Sequence, residues 1–239
     1  LYEFSWSEFC DWYVEMAKLR LKNPETRATA QCVLATVLDY LLRLLHPVMP
    51  FVTEQIWQAL ADLAPQRGLD KPEPAAASVM IAPWPVAPSD WRDPEIEQRM
   101  SRLQELIKAI RNIRSNFNVD VRTPVAAHVR CSAAVAEELR AAAPFIEQLA
   151  TVGSFDTGPD VTKPADSVSA VANDWELYVP LTGLIDRPAE IERNRKLLDS
   201  IAAQLKSFQS KLANADFVSK APADVVELHR QRVAELTAQ

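Results

Sequence analysis

Cysteine is scarce in this chain, and so are glycine and histidine. Its 239 residues include three cysteines, four glycines and three histidines. The cysteines, Cys10, Cys32 and Cys131, are odd in number and scattered. This pattern excludes a disulfide framework and a cysteine-rich metal centre, and it is typical of a reducing cytoplasm. We expect all three to be ordinary buried thiols.

The few glycines and histidines exclude several kinds of site. Two glycines between residues 151 and 158 are too sparse for a phosphate-binding loop, and no GxGxxG or P-loop pattern occurs. His46 precedes Pro47, so we expect a helix-end residue bonding terminal carbonyls, with a catalytic base as the alternative. Three histidines do not support a Ser/His/Asp constellation. The sequence therefore predicts no catalytic residue and no metal site.

Long apolar runs and targeting segments are also missing. No apolar run is long enough to span a membrane, and no signal peptide precedes the first helix. These features predict a cytoplasmic protein without a membrane partner. Because the chain starts at Leu1 inside an amphipathic pattern and without an initiator Met, we interpret it as a C-terminal piece of a larger protein.

The charge is distributed unevenly. The net charge is −6, which by itself argues against a nucleic-acid binder. However, residues 99–122 carry six Lys/Arg against two acidic residues, and residues 187–239 carry nine against seven. Local basic patches on an otherwise acidic protein are typical of a protein that binds a polyanion at those patches and repels it elsewhere.

The first 118 residues predict a bundle of four amphipathic helices. Breaks at Asn23-Pro24 and His46-Pro47 separate the first three helices, and Pro50 and Asp93-Pro94 suit helix starts. A proline-rich connector lies between residues 65 and 91. The inward-facing positions are expected to be Tyr2, Trp6, Phe9, Tyr13 and Met16; Val33, Leu34, Val37, Leu41, Leu44 and Leu45; Val52, Ile56, Ala59, Leu60 and Leu63; and Ile96, Met100, Leu103, Ile107 and Ile110.

Two arginines interrupt the apolar stripe of the fourth helix. At 100° per residue, Arg111 and Arg114 lie on or beside that stripe. They could pair with carboxylates of the bundle or lie in water past its edge. Alternatively, they face phosphate or sugar groups together with the amides of Asn112, Asn116 and Asn118, since the planar guanidinium bonds phosphate bidentately.

Residues 119–186 predict a small α+β domain. Short strands are expected at residues 125–131, 151–155, 168–172 and 176–181, with helix over 132–149. Asn173-Asp174 is a hairpin-turn signal between the last two strands.

Residues 187–239 carry a heptad pattern. One seam has Ile191, Leu198, Leu205 and Leu212, and a second has Asn194, Ile201, Phe208 and Ala215. After a break at residues 214–216, a second helix restarts near Pro222 with Val226, Val233 and Leu236 on one side. The pattern predicts an antiparallel coiled-coil hairpin, which has almost no core and usually exists to contact a partner.

Several segments together resemble a known family. The sequences FCDWY at residues 9–13, LLRLLHPVMPFVTEQIW at 41–57 and IAPWP at 81–85 resemble the anticodon-binding domain of class I aminoacyl-tRNA synthetases of the valine, isoleucine and leucine group. IRNIR at 110–114, VPLTGLID at 179–186, KLAN at 211–214 and FVSKAP at 217–222 are similar to the bacterial valyl branch and its C-terminal coiled-coil arm. The lack of a cysteine zinc module and the presence of the heptads favour the valyl branch over the isoleucyl and leucyl ones.

The resemblance implies tRNA binding without chemistry in this chain. The family's His-Ile-Gly-His and Lys-Met-Ser-Lys-Ser motifs are absent, so ATP and Mg²⁺ would be used only by the parent enzyme, a monomer that acts on the valine acceptor tRNA. The family's anticodon domain begins with a further helix upstream of Leu1, so base-reading residues are not assigned. Candidate contacts of the arm with the outer corner of tRNA are Lys206, Lys211, Lys220, Arg230 and Arg232. Alternatively, these side chains are the solvated face of a coiled coil.

A second hypothesis comes from another class of protein. The chain could be a helical scaffold whose arm pairs with a helix of a partner protein. The salt dependence of binding distinguishes tRNA binding from pairing with a partner helix. The affinity for phosphate falls steeply as the salt concentration rises, whereas the affinity of helices that pair through Leu and Ile does not.

Overall fold

The computed structural model describes residues 1–69, 71–184, 187–214 and 223–237. The chain forms two compact units. The first unit comprises Leu1–Ser115 and Asp120–Pro180, and the second comprises Asn116–Val119 and Leu181–Gln239. The division into three domains at residues 118 and 186 remains a prediction.

The four helices expected in the first 118 residues are confirmed. Helix α1 is π-helical over Phe4–Val14 and α-helical over Glu15–Lys22; α2 spans Pro24–Leu45, α3 Pro50–Leu63 and α4 Pro94–Asn116. Each of the last three starts at a proline, whose fixed φ suits a first helical residue. Asn23 and Asp93 cap α2 and α4 by accepting hydrogen bonds from the backbone N–H of Glu25 and Glu95, at 3.0 and 2.9 Å.

The inward faces of α1 and α3 differ from those expected. In α3 the buried residues are Thr53 and Trp57, whereas Val52 and Leu63 are exposed by 51% and 85%. Polar Thr53 is buried because its hydroxyl donates to the Met49 carbonyl at 2.8 Å. The other positions predicted to face inward that are exposed are Tyr2, Trp6, Ile56, Ala59 and, in the first turn of α4, Ile96. In α1 Phe9 is buried as predicted, and the wider π-helical turn also brings Trp12 inward, which was not predicted.

Helix α2 corrects the expectation that no segment could cross a membrane. Its 22 residues include an 18-residue window with mean hydropathy 1.4, so it is long and apolar enough by length and composition. The pattern was missed because the buried side chains include the polar Thr36 and Asp39, which break the apolar run. In the structure α2 packs against α1 and α3, as a core helix of a bundle does.

The connector after α3 folds back over Trp57. It contains strands β1 (Gln66–Arg67) and β2 (Glu73–Pro74), which pair antiparallel, and 3₁₀ turns at Val79–Ile81 and Ser89–Trp91. The indole N–H of Trp57 donates to the Ala76 carbonyl at 2.8 Å, and the ring packs with Leu42 and Val79. Trp57 is therefore 1% exposed with its polar group satisfied.

Residues 125–180 form the expected mixed α+β segment. Strand β3 (Val125–Cys131) is followed by helices α5 (Ala133–Ala141) and α6 (Ala143–Ala150) and strands β4 (Val152–Gly158), β5 (Ser167–Val171) and β6 (Trp175–Pro180). The strand order is β4-β3-β6-β5, with β3 and β4 parallel and the other pairs antiparallel. The parallel pair is joined through α5 and α6, and Asn173 and Asp174 turn the β5–β6 hairpin.

Helix α4 and this sheet segment belong to the same unit. The guanidinium of Arg102 bonds Glu138 at 2.5 Å and Asp174 at 2.8 Å, on α5 and the β5–β6 turn. Hydrogen bonds to Asp174 come first among the causes that raise the pKa of Arg102. The two segments are thus joined by an ion-pair network.

The second unit contains two contacting helices, α7 (Arg187–Ala213) and α8 (Ala223–Thr237). The ring of Phe208 lies 5.0 Å from that of His229, and Val226 is 6% exposed. Ile191 and Leu198 of the predicted seam are 68% and 64% exposed. Because α7 is about 40 Å long and α8 about 22 Å at 1.5 Å per residue, α8 is too short to cover the whole seam. Residues 215–222 lie outside the described residues, so the antiparallel coiled coil remains a prediction.

The histidine and cysteine expectations are partly corrected. His46 ends α2 as expected, but its ring Nδ1 lies 2.8 Å from the Thr53 hydroxyl rather than on a carbonyl. Cys131 is buried, whereas Cys10 and Cys32 are exposed, so the prediction of three buried thiols is wrong for two. Cys10 lies off the face of α1 that carries Phe9, Trp12 and Met16, and the thiol of Cys32 on α2 donates to the Gly68 carbonyl at 3.5 Å.

Candidate nucleic-acid interface

Arg111, the first predicted phosphate contact, lies at the protein surface near acidic side chains. Its Nε donates to the Leu149 carbonyl at 2.9 Å, and its guanidinium lies 5.5 Å from the ring centre of Trp12. The adjoining groove, of about 650 Å³, is also lined by Lys108. Its acidic lining residues are Glu3, Glu8, Asp11 and Glu15. A phosphate at Arg111 would thus meet more negative than positive charge, which weakens the predicted contact.

Arg114 has a different position, because it is only 6% exposed. Its guanidinium donates to the backbone carbonyls of Ala150 at 3.4 Å, Thr151 at 3.1 Å and Asp120 at 2.5 Å. Burial lowers the pKa of Arg114, and the nearby Asp120 carboxylate partly opposes that shift. Arg114 thus ties the end of α4 to the start of β4, and its placement does not fit a phosphate contact.

The asparagines near the end of α4 are exposed. Asn112, Asn116 and Asn118 all present surface to solvent, and Asn118 has φ of 51°. Asparagine tolerates this left-handed conformation better than most residues, so Asn118 fits the turn that ends the helix. Exposure leaves these amides sterically able to contact sugar or phosphate, which stays a prediction.

The arm, defined here as α7 and α8, presents its predicted cations to solvent. Lys206, Lys211, Arg230 and Arg232 are all exposed, and Lys220 lies outside the described residues. Lys211 Nζ lies 5.9 Å from the ring centre of Phe208. Such cations are sterically open to a polyanion.

Two of these cations have partners on their own helix. Arg230 lies 3.7 Å from Glu227, and Arg232 bonds Glu235 at 2.7 Å, in both cases three residues apart. Side chains in these pairs are more than half exposed. Exposed pairs of this kind contribute about 0–1 kcal/mol, so they can open cheaply when a phosphate competes for the arginine.

A further basic cluster lies at the corner between α1 and α2, and the sequence analysis missed it. Lys18, Arg20, Lys22 and Arg27 are exposed there. Arg27 Nε donates to the Leu21 carbonyl at 2.8 Å, which holds the corner closed. The available signal was four cations within ten residues against one acidic residue, Glu25. Adding this corner would have given the bundle a second predicted basic region besides residues 99–122.

The described part of the chain brings together no cluster of three or more His, Cys, Asp or Glu residues suited to a metal ion. The lysine, arginine and asparagine side chains at these surfaces can make ionic contacts and hydrogen bonds. Such contacts suit the phosphate backbone of a nucleic acid.

Comparison with known proteins identifies the family. Residues 1–130, more than half of the chain, match the anticodon-binding domain of tRNA ligase. The chain belongs to this anticodon-binding family. Residues 186–239 match the valyl-tRNA synthetase tRNA-binding arm. The helical bundle and the arm thus match two separate families, in the order expected from the sequence.

Curated relatives agree with both matches. A valine–tRNA ligase of Rhodopirellula baltica is 42% identical over 241 residues, covering 100% of this chain and 23% of that protein. Valine–tRNA ligases of Symbiobacterium thermophilum and Bacillus subtilis are 41% and 36% identical, over 99% and 100% of this chain and 27% and 26% of the relatives. The chain therefore spans about a quarter of the length of these relatives, and it aligns with their C-terminal part.

Proposed function

We propose that this chain is the tRNA-binding C-terminal part of a valine–tRNA ligase, which attaches valine to its tRNA using ATP and Mg²⁺. One observation carries the proposal. The anticodon-binding match and the valyl arm match occur in order on one chain, and the arm match covers four exposed candidate cations. These features favour tRNA binding over the scaffold hypothesis.

In this proposal the chain binds tRNA, and the rest of the enzyme catalyses the reaction. The bundle contacts the anticodon stem, and the arm contacts the outer corner of the tRNA. The whole enzyme is a cytoplasmic monomer without a membrane partner, and valine acceptor tRNA is its substrate. ATP and Mg²⁺ act in the parent enzyme only, so the chain alone neither activates valine nor hydrolyses mischarged tRNA.

The contacts proposed for the arm are to the RNA backbone. Arg230, Arg232 and Lys206 extend from exposed helix faces, where long flexible side chains reach phosphates more readily than base edges. Contacts to the RNA backbone position the protein on the RNA but do not depend on the base sequence. We therefore expect affinity for tRNA on the order of micromolar or weaker at physiological salt, with little preference among tRNAs.

A charge-reversal experiment on the arm tests this proposal. The chain with Arg230→Glu and Arg232→Glu is titrated with tRNA over a series of salt concentrations, beside the parent chain. Loss of two phosphate contacts should weaken binding at low salt by about tenfold or more and reduce the salt slope by about two. The difference between variant and parent should shrink at high salt because ions screen exposed charges.

Lys163→Glu with Arg92→Glu supplies the matched control, because it also makes the net charge more negative by four. Both are exposed cations of the first unit; Lys163 Nζ bonds the Ser169 hydroxyl at 3.2 Å, and Arg92 lies 4.0 Å from Glu97. This control should leave affinity nearly unchanged. Equal weakening in the control would mean that net charge, and not the arm, controls binding.

In the full enzyme, truncation after Asp186 should raise KM for tRNA and barely change valine activation. The arm would supply binding that is equal in the ground and transition states, so kcat should be little affected. A truncated enzyme that charges tRNA as well as its parent at low tRNA concentration would remove the arm from the proposal.

A further inference from the structure

A pocket of about 240 Å³ lies between α1, α2 and α4 in the first unit. This volume is below the roughly 300–1,000 Å³ of pockets that take drug-sized ligands, so it suits a head group of a few heavy atoms. Most of its walls are aromatic or apolar. They include Phe4, Phe9, Trp12 and Tyr13 of α1, Val37 of α2 and Met100 of α4.

Glu8 is the one acidic or basic side chain that lines this pocket, and the structure describes all of its lining residues. Its Oε2 accepts a hydrogen bond from the Gln104 amide at 3.1 Å, which ties the carboxylate to α4. No cation of the described residues lies within ion-pair distance of it. Burial raises the pKa of Tyr13, and the charge of Arg20, which does not line the pocket, partly opposes that rise. Tyr13 is thus uncharged at neutral pH, and the pocket carries one negative charge without a partner.

The aromatic walls favour a cation as well, because the face of an aromatic ring attracts positive charge. Trp12 already makes such contacts, with Lys108 Nζ 5.7 Å and the Arg111 guanidinium 5.5 Å from its ring centre. Both of these cations line the neighbouring groove and not the pocket. Phe9 and Tyr13 stack with ring centres 6.0 Å apart, and no cation of the described residues lies over either ring.

The neighbouring groove adds to the attraction for cations. It shares Glu8 with the pocket, and its four acidic side chains outnumber its two basic ones. Glu15 of this groove pairs with Lys18 at 2.5 Å, whereas Glu3 and Asp11 form no ion pair with any described residue. The resulting negative potential raises the local concentration of cations at the pocket.

We propose that this pocket binds a small organic cation with a methylated ammonium head group, held against the aromatic rings and beside the Glu8 carboxylate. The methyl groups of such a cation pack on Phe4, Phe9 and Tyr13, while its charge meets the ring faces and Glu8. An inorganic cation would leave the apolar walls without a contact, and a neutral ligand would leave Glu8 without a partner. The proposal does not rest on tRNA binding, because no candidate tRNA contact lines the pocket.

Titration of the ¹⁵N-labelled full chain with choline and with dimethylbutanol, the uncharged carbon isostere of choline, tests the proposal. Choline chloride replaces sodium chloride stepwise, so that the ionic strength stays constant. Choline should give saturable shifts of the Trp12 indole N–H and the Gln104 side-chain amide, with an affinity on the order of millimolar. The isostere should bind about fivefold more weakly or worse, because it lacks the charge that the rings and Glu8 attract.

Two variants assign the contacts to residues. Phe4→Ala and Glu8→Gln should each weaken choline binding about two- to fivefold, the loss of one ring or of one exposed charge pair. Because Phe4 is 49% exposed and Glu8 is exposed, both variants should unfold at the temperature of the parent chain. Glu8→Gln should leave the affinity for dimethylbutanol unchanged, since it removes only a charge.

Glu3→Gln and Phe51→Ala are the matched controls. Glu3 is an exposed carboxylate just before α1, Phe51 is an 89% exposed ring of α3, and neither lines the pocket. Both controls should leave the affinity for choline unchanged. Equal weakening in the controls would overturn the proposal, because net charge or general apolar contact would then explain the shifts.

The two ligands also decide the question on the parent chain alone. The absence of saturable shifts with choline would overturn the proposal, and so would equal affinity for choline and dimethylbutanol. This comparison needs no substitution, so it holds even if a variant fails to fold.

Discussion

Two buried arginines of the first unit and two exposed arginines of the arm are used in opposite ways. Arg67 and Arg114 are 6% exposed each and donate to carboxylate or carbonyl oxygens from distant parts of the chain. Arg230 and Arg232 are exposed, and each pairs with a glutamate three residues away on its own helix. The same residue type therefore serves as a structural tie in one region and as an available charge in the other.

The difference shows that charge and helical phase do not by themselves identify a phosphate contact. Arg111 and Arg114 lie three residues apart on α4, yet one is exposed and the other buried. What separates them is the segment that packs against the helix end, which brings the carbonyls of Ala150 and Thr151 to Arg114. Such a contact between distant segments leaves no periodic signal in the sequence.

The largest effect is expected at the buried ion pairs of the first unit. Asp39→Ala would leave Arg43 and Arg67 close together without their shared carboxylate, so unfolding free energy should fall by about 3–5 kcal/mol. Urea unfolding of the chain measures this change. Asp62→Ala, at an exposed position of α3, is the control and should cost less than about 0.5 kcal/mol. Similar losses in both variants would contradict a structural role for the pairs.

The next largest effect should separate the two arginines of α4. Arg114→Ala removes three hydrogen bonds from a buried cation to carbonyl groups and should cost about 2–3 kcal/mol. Arg111→Ala removes one such bond from an exposed side chain and should cost about 1 kcal/mol or less. Thermal or urea unfolding compares the two directly. If Arg114→Ala instead weakened tRNA binding without loss of stability, the structural role assigned to the buried Arg114 would be wrong.

A smaller effect should appear when the arm arginines are released. Glu227→Gln with Glu235→Gln removes the carboxylates that pair with Arg230 and Arg232. Because exposed pairs are weak, unfolding should barely change, while tRNA affinity at low salt should rise about two- to threefold. Filter binding or fluorescence anisotropy detects this gain. Glu97→Gln with Glu95→Gln, an equal charge change on α4, serves as the control, and an equal gain there would assign the effect to net charge.

The smallest effect concerns acid stability. A hydrogen bond from Gln58 first, then those from Ser78 and the backbone of Val79, lower the pKa of Glu54. A carboxylate whose pKa is lower in the folded state stabilises the protein above its unfolded pKa, and this contribution is lost as pH falls through the folded value. Glu54→Gln should therefore make stability less dependent on pH between about 5 and 3. Urea unfolding at several pH values measures the slope, and an unchanged slope would contradict the assignment.

Most elements of the first unit could be predicted from sequence because their signals are local. Prolines 24, 50 and 94 mark helix starts, and Asn173-Asp174 marks the hairpin between β5 and β6. The inward face of α3 could not be predicted. The connector folds over Trp57, and Thr53 is held inward by hydrogen bonds with His46 and Met49, while the more apolar Val52 and Leu63 lie in solvent.

The candidate site was predictable only in its exposed part. Lys206, Arg230 and Arg232 follow from a charged helix exterior, and the structure places them in solvent. The buried position of Arg114 depends on the Thr151 carbonyl, 37 positions along the chain, just as Asp39 depends on Arg67, 28 positions away. Neither composition nor spacing indicates that those residues meet.

The charge of Asp39 also affects whether α2 can insert into a membrane while the chain is being synthesised. By length and composition α2 resembles a stop-transfer segment even with its charged residues included. A carboxylate near the centre of such a helix disfavours translocon insertion by about 2.5–3.5 kcal/mol, and Arg43 one turn later adds to the cost nearer the helix end. In the folded protein Asp39 pairs with Arg43 and Arg67. Before β1 has left the ribosome, Arg67 is not yet available as a partner, and the Asp39 carboxylate then opposes insertion of α2 into a bilayer.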